Sequence, residues 1–226
     1  MSSGAIPINR YIDHTCLKPD AIGKTIESLC LEAIHYGFYS VCVNSFWVPR
    51  CSEVLAGTGV KICAVGGFPL GANLSGVKAF EAVKAAEAGA AEIDMVMNVG
   101  LMLEGDFDGV KRDIAEVVRA VKGQADVKVI LETGLLNDEQ KRIACRLAAE
   151  AGAAFVKTST GFGPEGATVE DVRLMRSEVP DNVAVKASGG IRDLSAALRM
   201  IEAGASRLGT SSGIAIVKGM EGTGRY

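Results

Sequence analysis

Short apolar stretches of strand length alternate along the chain with longer stretches in which apolar residues recur at helical spacing. The strand-like stretches fall at 8–14, 40–44, 61–65, 92–98, 127–132, 154–158, 183–186 and 207–209. The helical patterns follow them at about 20–36, 48–56, 75–88, 107–122, 138–151, 168–178, 193–203 and 212–218. Eight alternations in 226 residues, without a long Pro/Ser-rich linker, favour a closed barrel over an open doubly wound sheet. We therefore predict an α/β fold in which residues 1–226 form a single (β/α)8 TIM barrel with a short polar C-terminal tail from about residue 219.

A similar sequence motif begins at the end of three of the predicted helices and runs into the next strand. We call the three stretches the EAG words: EAGAAEID at 87–94, EAGAAFVK at 150–157 and EAGASRLG at 202–209. In each word a glycine ends the helix, five residues before a strand position. This offset reaches Asp94, Lys157 and Gly209, and from Gly37 it reaches Cys42. Because one interior layer of a TIM barrel is built from alternate strands, the four positions predict a layer that contains both Asp94 and Lys157.

The alternation of side chains within a strand predicts which lysines point into the barrel. In AAFVKTS, Phe155 and Lys157 share one face, while Val156 and Thr158 share the other and would pack on helices. The same reading of VAVKAS turns Lys186 inward. Both lysines fall at the C-terminal ends of their strands, which is the face where TIM barrels carry their chemistry.

Composition and charge exclude several classes of function. A formal charge of −3 and a pI near 5.5 give no general attraction for polyanions, so we expect no nucleic-acid partner. The six cysteines include no CxxC pair, and we find neither a secretory leader nor a long apolar span, which predicts a cytoplasmic protein without membrane contact. His14 and His35 form no HExxH motif and no Cys/His cluster, so the sequence predicts no metal site and disfavours a metal-dependent aldolase.

A lysine inside a buried strand needs a partner or a task. An amine attacks a carbonyl only when it is neutral, and at the reference pKa of about 10.4 only about 0.04% of a lysine is neutral at pH 7. Burial and a second ammonium both disfavour the charged form, so Lys186 is placed to lower the pKa of Lys157. Asp94 can keep Lys186 charged and pass protons to and from a substrate. The alternative is a buried ion pair of Asp94 with one lysine that only orders the barrel.

Glycine-rich stretches follow the last two strands, SGGI at 188–191 and GTSSG at 209–213. Small residues let backbone N–H groups approach an anion, and TIM barrels frequently bind phosphate on these loops. The sequence therefore predicts a site for a substrate phosphate, with glycines that only make turns as the alternative. GFGPEG at 161–166 also fits a dinucleotide fingerprint, but Pro164 removes an amide and nucleotide binding does not explain Lys157, so an oxidoreductase is disfavoured.

At five places the chain resembles deoxyribose-phosphate aldolase, a family of class I, Schiff-base aldolases. The matching stretches are YIDHTCLKPDA at 11–21, SVCVN at 40–44, EIDMVMNVG at 92–100, FVKTSTGFG at 155–163 and VKASGGIR at 185–192. This resemblance spans nearly the whole chain. It implies a lyase of deoxyribonucleotide catabolism that reversibly cleaves 2-deoxy-D-ribose 5-phosphate to acetaldehyde and D-glyceraldehyde 3-phosphate, without a metal or an organic cofactor.

The resemblance also implies roles for individual residues. Lys157 would be the Schiff-base lysine, Lys186 the lysine that perturbs it, and Asp94 their partner in proton relay. The site for substrate and phosphate would be lined by Thr160, Gly161, Gly189, Gly190, Ser211 and Ser212. We also expect a homo-oligomer, a dimer or a tetramer. A Schiff-base aldolase for another phosphorylated sugar and a non-catalytic sugar-phosphate binding barrel stay open as alternatives.

The sequence also gives an expectation for each of three further residues, Phe162, Tyr226 and Cys42. Some members of the family have a lysine where this chain has Phe162, so the phosphate is expected to be held by backbone amides. A C-terminal tyrosine in the family is associated with proton transfer at the enamine carbon, and Tyr226 would take this role here, with an inert tail as the alternative. Cys42, in the predicted layer, is expected to be a small apolar filler.

Overall fold

The computed structural model describes residues 6–222 and contains a closed barrel of eight parallel strands, which confirms the predicted fold. The strands are β1 Ile12–Cys16, β2 Ser40–Val43, β3 Lys61–Gly66, β4 Glu92–Val96, β5 Asp126–Ile130, β6 Phe155–Lys157, β7 Ala184–Ser188 and β8 Arg207–Thr210. They pair in sequence order, and β8 closes the barrel against β1. All their carboxyl ends therefore meet at one face of the barrel.

Helices connect the strands and form the outer layer. They are α1 Gly23–Tyr36, α2 Val48–Leu55, α3 Ser75–Glu87, α4 Val99–Glu104, α5 Phe107–Ala120, α6 Asp138–Glu150, α7 Val169–Glu178, α8 Leu194–Glu202 and α9 Gly213–Val217. Three 3-10 segments are added, η1 Ile8–Tyr11, η2 Ser45–Trp47 and η3 Thr133–Leu135. Within residues 6–222, no helix combines the length and the apolar character that crossing a membrane requires.

The beginning of the chain differs from the predicted elements. The first strand was expected from residue 8, but residues Ile8–Tyr11 form η1 and β1 begins only at Ile12. The side chain of Asn9 donates to the backbone oxygens of Tyr36 and Gly37, so this segment covers the end of α1 instead of pairing in the sheet. The predicted helix from residue 20 begins at Gly23.

Helix α4 has no counterpart in the predicted elements. It begins after Asn98, whose side chain accepts a hydrogen bond from the backbone N–H of Leu101 at 3.2 Å. It ends after six residues at Gly105, which has a left-handed backbone conformation. Its six residues are too few for the helical repeat to be read from the sequence with ease.

The repeated EAG words end three helices in the same way. Helices α3, α6 and α8 stop at the glutamate of each word, and the glycines that follow, Gly89, Gly152 and Gly204, have φ angles of 115°, 90° and 112°. Residues with a β-carbon rarely adopt such angles, whereas glycine does so readily. The glycines therefore turn the chain at a fixed distance before β4, β6 and β8.

The apolar core lies between the strands and the helices rather than at the centre of the barrel. Outward-facing strand residues such as Val41, Ile93, Val129, Val156 and Val185 are fully buried in it. A separate, smaller cluster of Leu17, Cys42, Cys63 and Val65 packs around the inward-facing cysteines. Much of the remaining interior is occupied by charged side chains.

The segment that follows α9 is fastened to the barrel as far as the structure describes it. The backbone N–H of Met220 donates to the oxygen of Ala215 at 2.8 Å, and that of Gly222 donates to the oxygen of Arg192 at 2.9 Å. The expected polar tail therefore begins with anchored backbone. Tyr226 lies outside the described residues.

Candidate active site

The three candidate catalytic residues are in direct contact inside the barrel. Nζ of Lys157, at the end of β6, donates to Oδ2 of Asp94 on β4 at 2.7 Å. Nζ of Lys186, on β7, donates to the same oxygen at 2.7 Å. Lys157 and Lys186 are register partners across β6 and β7, so their side chains leave the sheet side by side. Lys157 is 3% exposed, whereas Asp94 and Lys186 are fully buried.

A third lysine belongs to this cluster and was missed in the sequence. Lys128, on β5, is fully buried, and its Nζ lies 2.9 Å from Oδ1 of Asp94 and 2.6 Å from Oε2 of Glu92. The alternation in DVKVI at 126–130 turns Lys128 inward together with Ile130. That alternation is the signal by which it could have been found.

A lower tier of charges supports the three lysines. Asp13, on β1, lies 2.6 Å from Nζ of Lys186, and Arg207, on β8, contacts Asp13 at 2.9 Å and Glu92 at 3.1 Å. The connected cluster holds four cationic side chains against three carboxylates, namely Lys128, Lys157, Lys186 and Arg207 against Asp13, Glu92 and Asp94. With every group ionised it carries one positive charge in excess. Lys157 alone among these cations contacts a single carboxylate of the cluster.

The surrounding charges determine the ionisation of the buried groups. Burial opposes ionisation of Asp94, but Lys128, Lys157 and Lys186 together hold the pKa of its carboxyl well below the ordinary value. Burial likewise opposes the charge on Lys186, and Asp13 and Asp94 overcome it, so the pKa of Lys186 is raised well above its ordinary value. The resting cluster therefore has Asp94 as a carboxylate and Lys186 as an ammonium at neutral pH.

The inward cysteines lie against this cluster. Potential ligand atoms of Cys42, Cys63 and Asp94 all lie within 4.8 Å of one another, which is close enough to hold a metal ion. Burial, however, raises the pKa of the Cys63 thiol well above its ordinary value, and metals bind the thiolate. The Cys63 thiol lies 3.0 Å from Oδ1 of Asp94, which already faces the ammonium of Lys128. Because both oxygens of the carboxylate already face the ammonium groups of Lys128 and Lys186, these residues do not fit a metal cation.

A cavity of about 320 Å³ opens at the carboxyl ends of β6, β7 and β8. Four of the six residues expected at the phosphate site line it, namely Gly161, Gly189, Gly190 and Ser211. Arg192 also lines it and was not singled out in the sequence, although it directly follows the SGGI stretch. The loops that follow β6 and β7 are joined by a hydrogen bond from the N–H of Ala167 to the oxygen of Gly189 at 3.0 Å.

The other two residues expected at the phosphate site do not line this cavity. The hydroxyl of Thr160 donates to Oε2 of Glu132. The side chain of Ser212 lies against Gly222, and its backbone N–H donates to the hydroxyl of Thr210 at 2.9 Å. Thr160 thus faces the loop that follows β5, and Ser212 faces the anchored tail.

Phe162 lies on the loop between the cavity and a second, smaller pocket. Its ring meets that of Phe68 edge to face, with 5.4 Å between the centroids, and its side chain is 46% exposed. The smaller pocket, of about 140 Å³, is lined mainly by apolar residues and also by Glu132 and Thr160. The cavity therefore has Arg192 as a cationic residue in its lining, and position 162 does not supply a lysine.

Comparison with known proteins supports the resemblance noted in the sequence. Residues 8–219 match the family model described as DeoC/LacD family aldolase. The chain is 58% identical over 217 residues to a deoxyribose-phosphate aldolase of Brevibacillus brevis, covering 96% of this chain and 98% of that protein. Among solved structures, a putative deoxyribose-phosphate aldolase from Coccidioides immitis has a TM-score of 0.91 and 43% identity, covering 93% of this chain and 84% of that one.

A second solved structure adds information on assembly. It is the deoxyribose phosphate aldolase of Aeropyrum pernix, described as a unique tetramer, with a TM-score of 0.88 and 36% identity over 93% of this chain and 89% of that one. The family model and the curated relative each span nearly the whole chain, so the predicted resemblance is confirmed. The chain therefore belongs to the DeoC/LacD family of aldolases and is a carbon–carbon lyase.

Proposed function

We propose that this aldolase reversibly cleaves 2-deoxy-D-ribose 5-phosphate to acetaldehyde and D-glyceraldehyde 3-phosphate through a Schiff base on Lys157. The observation that carries the proposal is the shared contact of Lys157 and Lys186 with one oxygen of Asp94, at 2.7 Å each. An ion pair that only ordered the barrel would need one lysine, and it would leave the excess positive charge of the cluster unexplained. The substrate is the one named for the curated relative.

Lys157 is the residue of the cluster best suited to act as a neutral nucleophile. Because the fully ionised cluster holds one cation too many, loss of a proton from one amine balances the buried charges. Lys128 and Lys186 each face two carboxylates, whereas Lys157 faces only Asp94. Lys157 therefore has the fewest carboxylate partners of the three lysines.

The reaction follows from these positions. The neutral amine attacks the C1 aldehyde of the open-chain sugar, and loss of water gives a protonated imine. Removal of the proton on the C3 hydroxyl then breaks the C2–C3 bond, and the protonated imine accepts the electron pair to become an enamine. D-Glyceraldehyde 3-phosphate leaves, the enamine carbon is protonated, and water hydrolyses the imine to acetaldehyde and the free amine. Asp94, in contact with the amine, is placed to carry protons in the carbinolamine steps through a water molecule.

The cavity at the carboxyl ends of β6, β7 and β8 supports the proposal of a phosphorylated substrate. Gly161, Gly189 and Gly190 contribute backbone to it, Ser211 is a further lining residue, and Arg192 and Glu165 are the charged residues in the lining. We assign the three glycines, Ser211 and Arg192 to the phosphate of the substrate, with Thr160 and Ser212 supporting the walls. Because position 162 is not a lysine, backbone N–H groups make most of the contacts with the phosphate.

Borohydride trapping tests the imine. Incubation with acetaldehyde and borohydride should add one ethyl group irreversibly at Lys157, as located by peptide mass spectrometry. Lys157→Met should abolish labelling and cleavage, and Lys122→Met, at an exposed position of the same charge, should leave both unchanged. Full activity without labelling of Lys157 would disprove the mechanism.

We further infer self-association through an apolar face formed by Phe46, Leu70, Leu74, Val77 and Phe80, each at least half exposed. Exposed apolar residues in this number are typical of interfaces. Light scattering should show an oligomer that Phe80→Glu converts to a smaller species, while Leu31→Glu, at an exposed leucine on α1, does not. A monomeric parent protein would contradict this inference.

We also infer a cytoplasmic location. All six cysteines are free thiols, and five of them are buried. Reduced thiols are typical of proteins in reducing compartments. Fractionation of the source cells tests the inference, and recovery in the secreted fraction would refute it.

A further inference from the structure

Glu132, directly after β5, combines burial with an unusual backbone conformation. It is 4% exposed, and its φ angle of 55° makes it the one non-glycine residue within 6–222 that has a left-handed backbone. Such angles are uncommon outside glycine and are kept where the surroundings over-determine them. The family mechanism described above gives this residue no task.

The carboxylate of Glu132 grips the loop that follows β6. The hydroxyl of Thr160 donates to Oε2 of Glu132, and the backbone N–H of Thr160 lies 3.4 Å from both carboxylate oxygens. The hydroxyl oxygen of Thr160 in turn accepts from the N–H of Phe162 at 3.0 Å. Gly163 lies so close that a β-carbon there would come within 2.7 Å of Cδ of Glu132. One carboxylate thus contacts Thr160 and Gly163 and reaches Phe162 through the hydroxyl of Thr160.

Neighbouring contacts hold the same two loops together. The N–H of Thr133 donates to the oxygen of Thr158 at 3.0 Å. A β-carbon on Gly134 would come within 2.8 Å of Cβ of Glu165. The loop after β6 is therefore pressed against η3 on one side, while its residues Gly161, Gly163, Pro164, Glu165 and Gly166 form a wall of the phosphate cavity on the other.

We propose that Glu132 is a positioning residue that sets the wall of the phosphate cavity through Thr160. Glu132 does not contact the reacting amine and does not itself line that cavity, so it acts on the substrate only through the loop. Glu132 lines the smaller apolar pocket. Gly163 lines both this pocket and the cavity, so the two are separated at this point by one segment of the loop. Loss of the carboxylate frees this loop to move into the pocket. The inference rests on the proposed function, because it assigns the cavity to the substrate phosphate.

The substitutions are chosen to separate the carboxylate from the backbone strain. Glu132→Gly removes the side chain and accepts the left-handed backbone without strain, whereas Glu132→Gln keeps the shape and an acceptor oxygen. Thr160→Val removes the hydroxyl from the other end of the contact, and Thr160→Ser restores it. Glu139→Gln, at an exposed glutamate on α6, is the matched control.

Three measurements read out the effect: kcat and KM for deoxyribose 5-phosphate and for unphosphorylated deoxyribose, inhibition by inorganic phosphate, and borohydride trapping of acetaldehyde. For Glu132→Gly and Thr160→Val we expect the KM for the phosphorylated substrate and the inhibition constant for phosphate to rise about tenfold. The rate of trapping and kcat/KM for deoxyribose should fall much less than the affinity for phosphate, since the reacting amine is not displaced. Glu132→Gln and Thr160→Ser should recover most of the phosphate affinity.

The outcomes distinguish this inference from the proposed function. Equal losses with both sugars and in trapping would mean that Glu132 only maintains the barrel, and unchanged phosphate affinity in Glu132→Gly would mean that its carboxylate positions nothing; either result overturns the inference. If Glu132→Gly does not fold, the Thr160→Val and Thr160→Ser pair decides alone. A parent protein that fails to trap acetaldehyde would instead refute the proposed function.

Discussion

Nζ of Lys128 lies 2.9 Å from Oδ1 of Asp94, on the carboxylate oxygen that does not receive the other two lysines. Both oxygens of the carboxylate are therefore occupied by ammonium groups, and its orientation is fixed. Lys128 also reaches Glu92 in the lower tier at 2.6 Å. Lys128 therefore links Asp94, which contacts the reacting amine, to Glu92 and the other charged groups of the lower tier.

We predict that Lys128→Met destabilises the protein and lowers kcat together. Glu92 and Asp94 would each lose a buried cation, and breaking a buried ion pair costs about 3–5 kcal/mol. Urea denaturation and steady-state kinetics measure the two effects, with Lys122→Met as the exposed control. Unchanged stability would show that the contacts of Lys128 are energetically neutral.

Lys186→Leu should shift the pH dependence of kcat. It removes the ammonium that shares an oxygen of Asp94 with Lys157, so there is less positive charge beside the reacting amine. We expect a lower kcat at neutral pH and an acid limb of the pH–kcat profile displaced to higher pH. A profile of the same shape as that of the parent would exclude this role for Lys186.

Asp94→Asn should give a stability difference with a defined pH dependence. Because the pKa of Asp94 in the folded protein is held well below its ordinary 3.8, its contribution is complete above the unfolded pKa and is lost as the pH falls through the folded value. The free-energy difference from the parent should be constant from about pH 5 to 9 and shrink below about pH 4. Asp181→Asn, at an exposed position, should show almost no difference at any pH. A difference that grows on acidification would contradict the ionised state of Asp94.

Phe162→Lys should strengthen phosphate binding. The new ammonium would lie on the loop that walls the cavity, and since the position is 46% exposed the gain should be modest, about two- to fivefold in KM. The gain should fade at high salt. Phe162→Met controls for loss of the ring contact with Phe68. A lower KM for unphosphorylated deoxyribose as well would show that the effect is not electrostatic.

Deletion of Tyr226 tests the role implied by the family resemblance. If this residue transfers a proton at the enamine carbon, its loss should slow exchange of the methyl protons of acetaldehyde with solvent, which NMR in deuterated water measures. Borohydride trapping should be unaffected. If the protons exchange at the rate of the parent protein, Tyr226 takes no part in this proton transfer.

The sequence predicted the barrel because the strand and helix patterns are local, and it predicted the contact between Asp94 and Lys157 because the EAG words repeat at a fixed offset from the strands. Lys128 follows the same alternation of inward and outward side chains as the other strand residues, but it does not lie in any of the three EAG words. Glu132 was not found, since its contact with Thr160 joins two loops whose separation only the closed barrel sets. The start of β1 was wrong for the same reason, because η1 covers the end of a helix that is distant in sequence.

The repeated glycines also set the phase of the strands that follow them. Because successive side chains in a strand point to opposite faces, one residue inserted between Gly152 and Phe155 would turn every side chain of β6 over. Lys157 would then point toward the helices and Val156 into the barrel. Such an insertion would abolish aldolase activity although every residue of the site would be unchanged. The length of the turn after α6 therefore determines catalysis as much as the identity of Lys157 does.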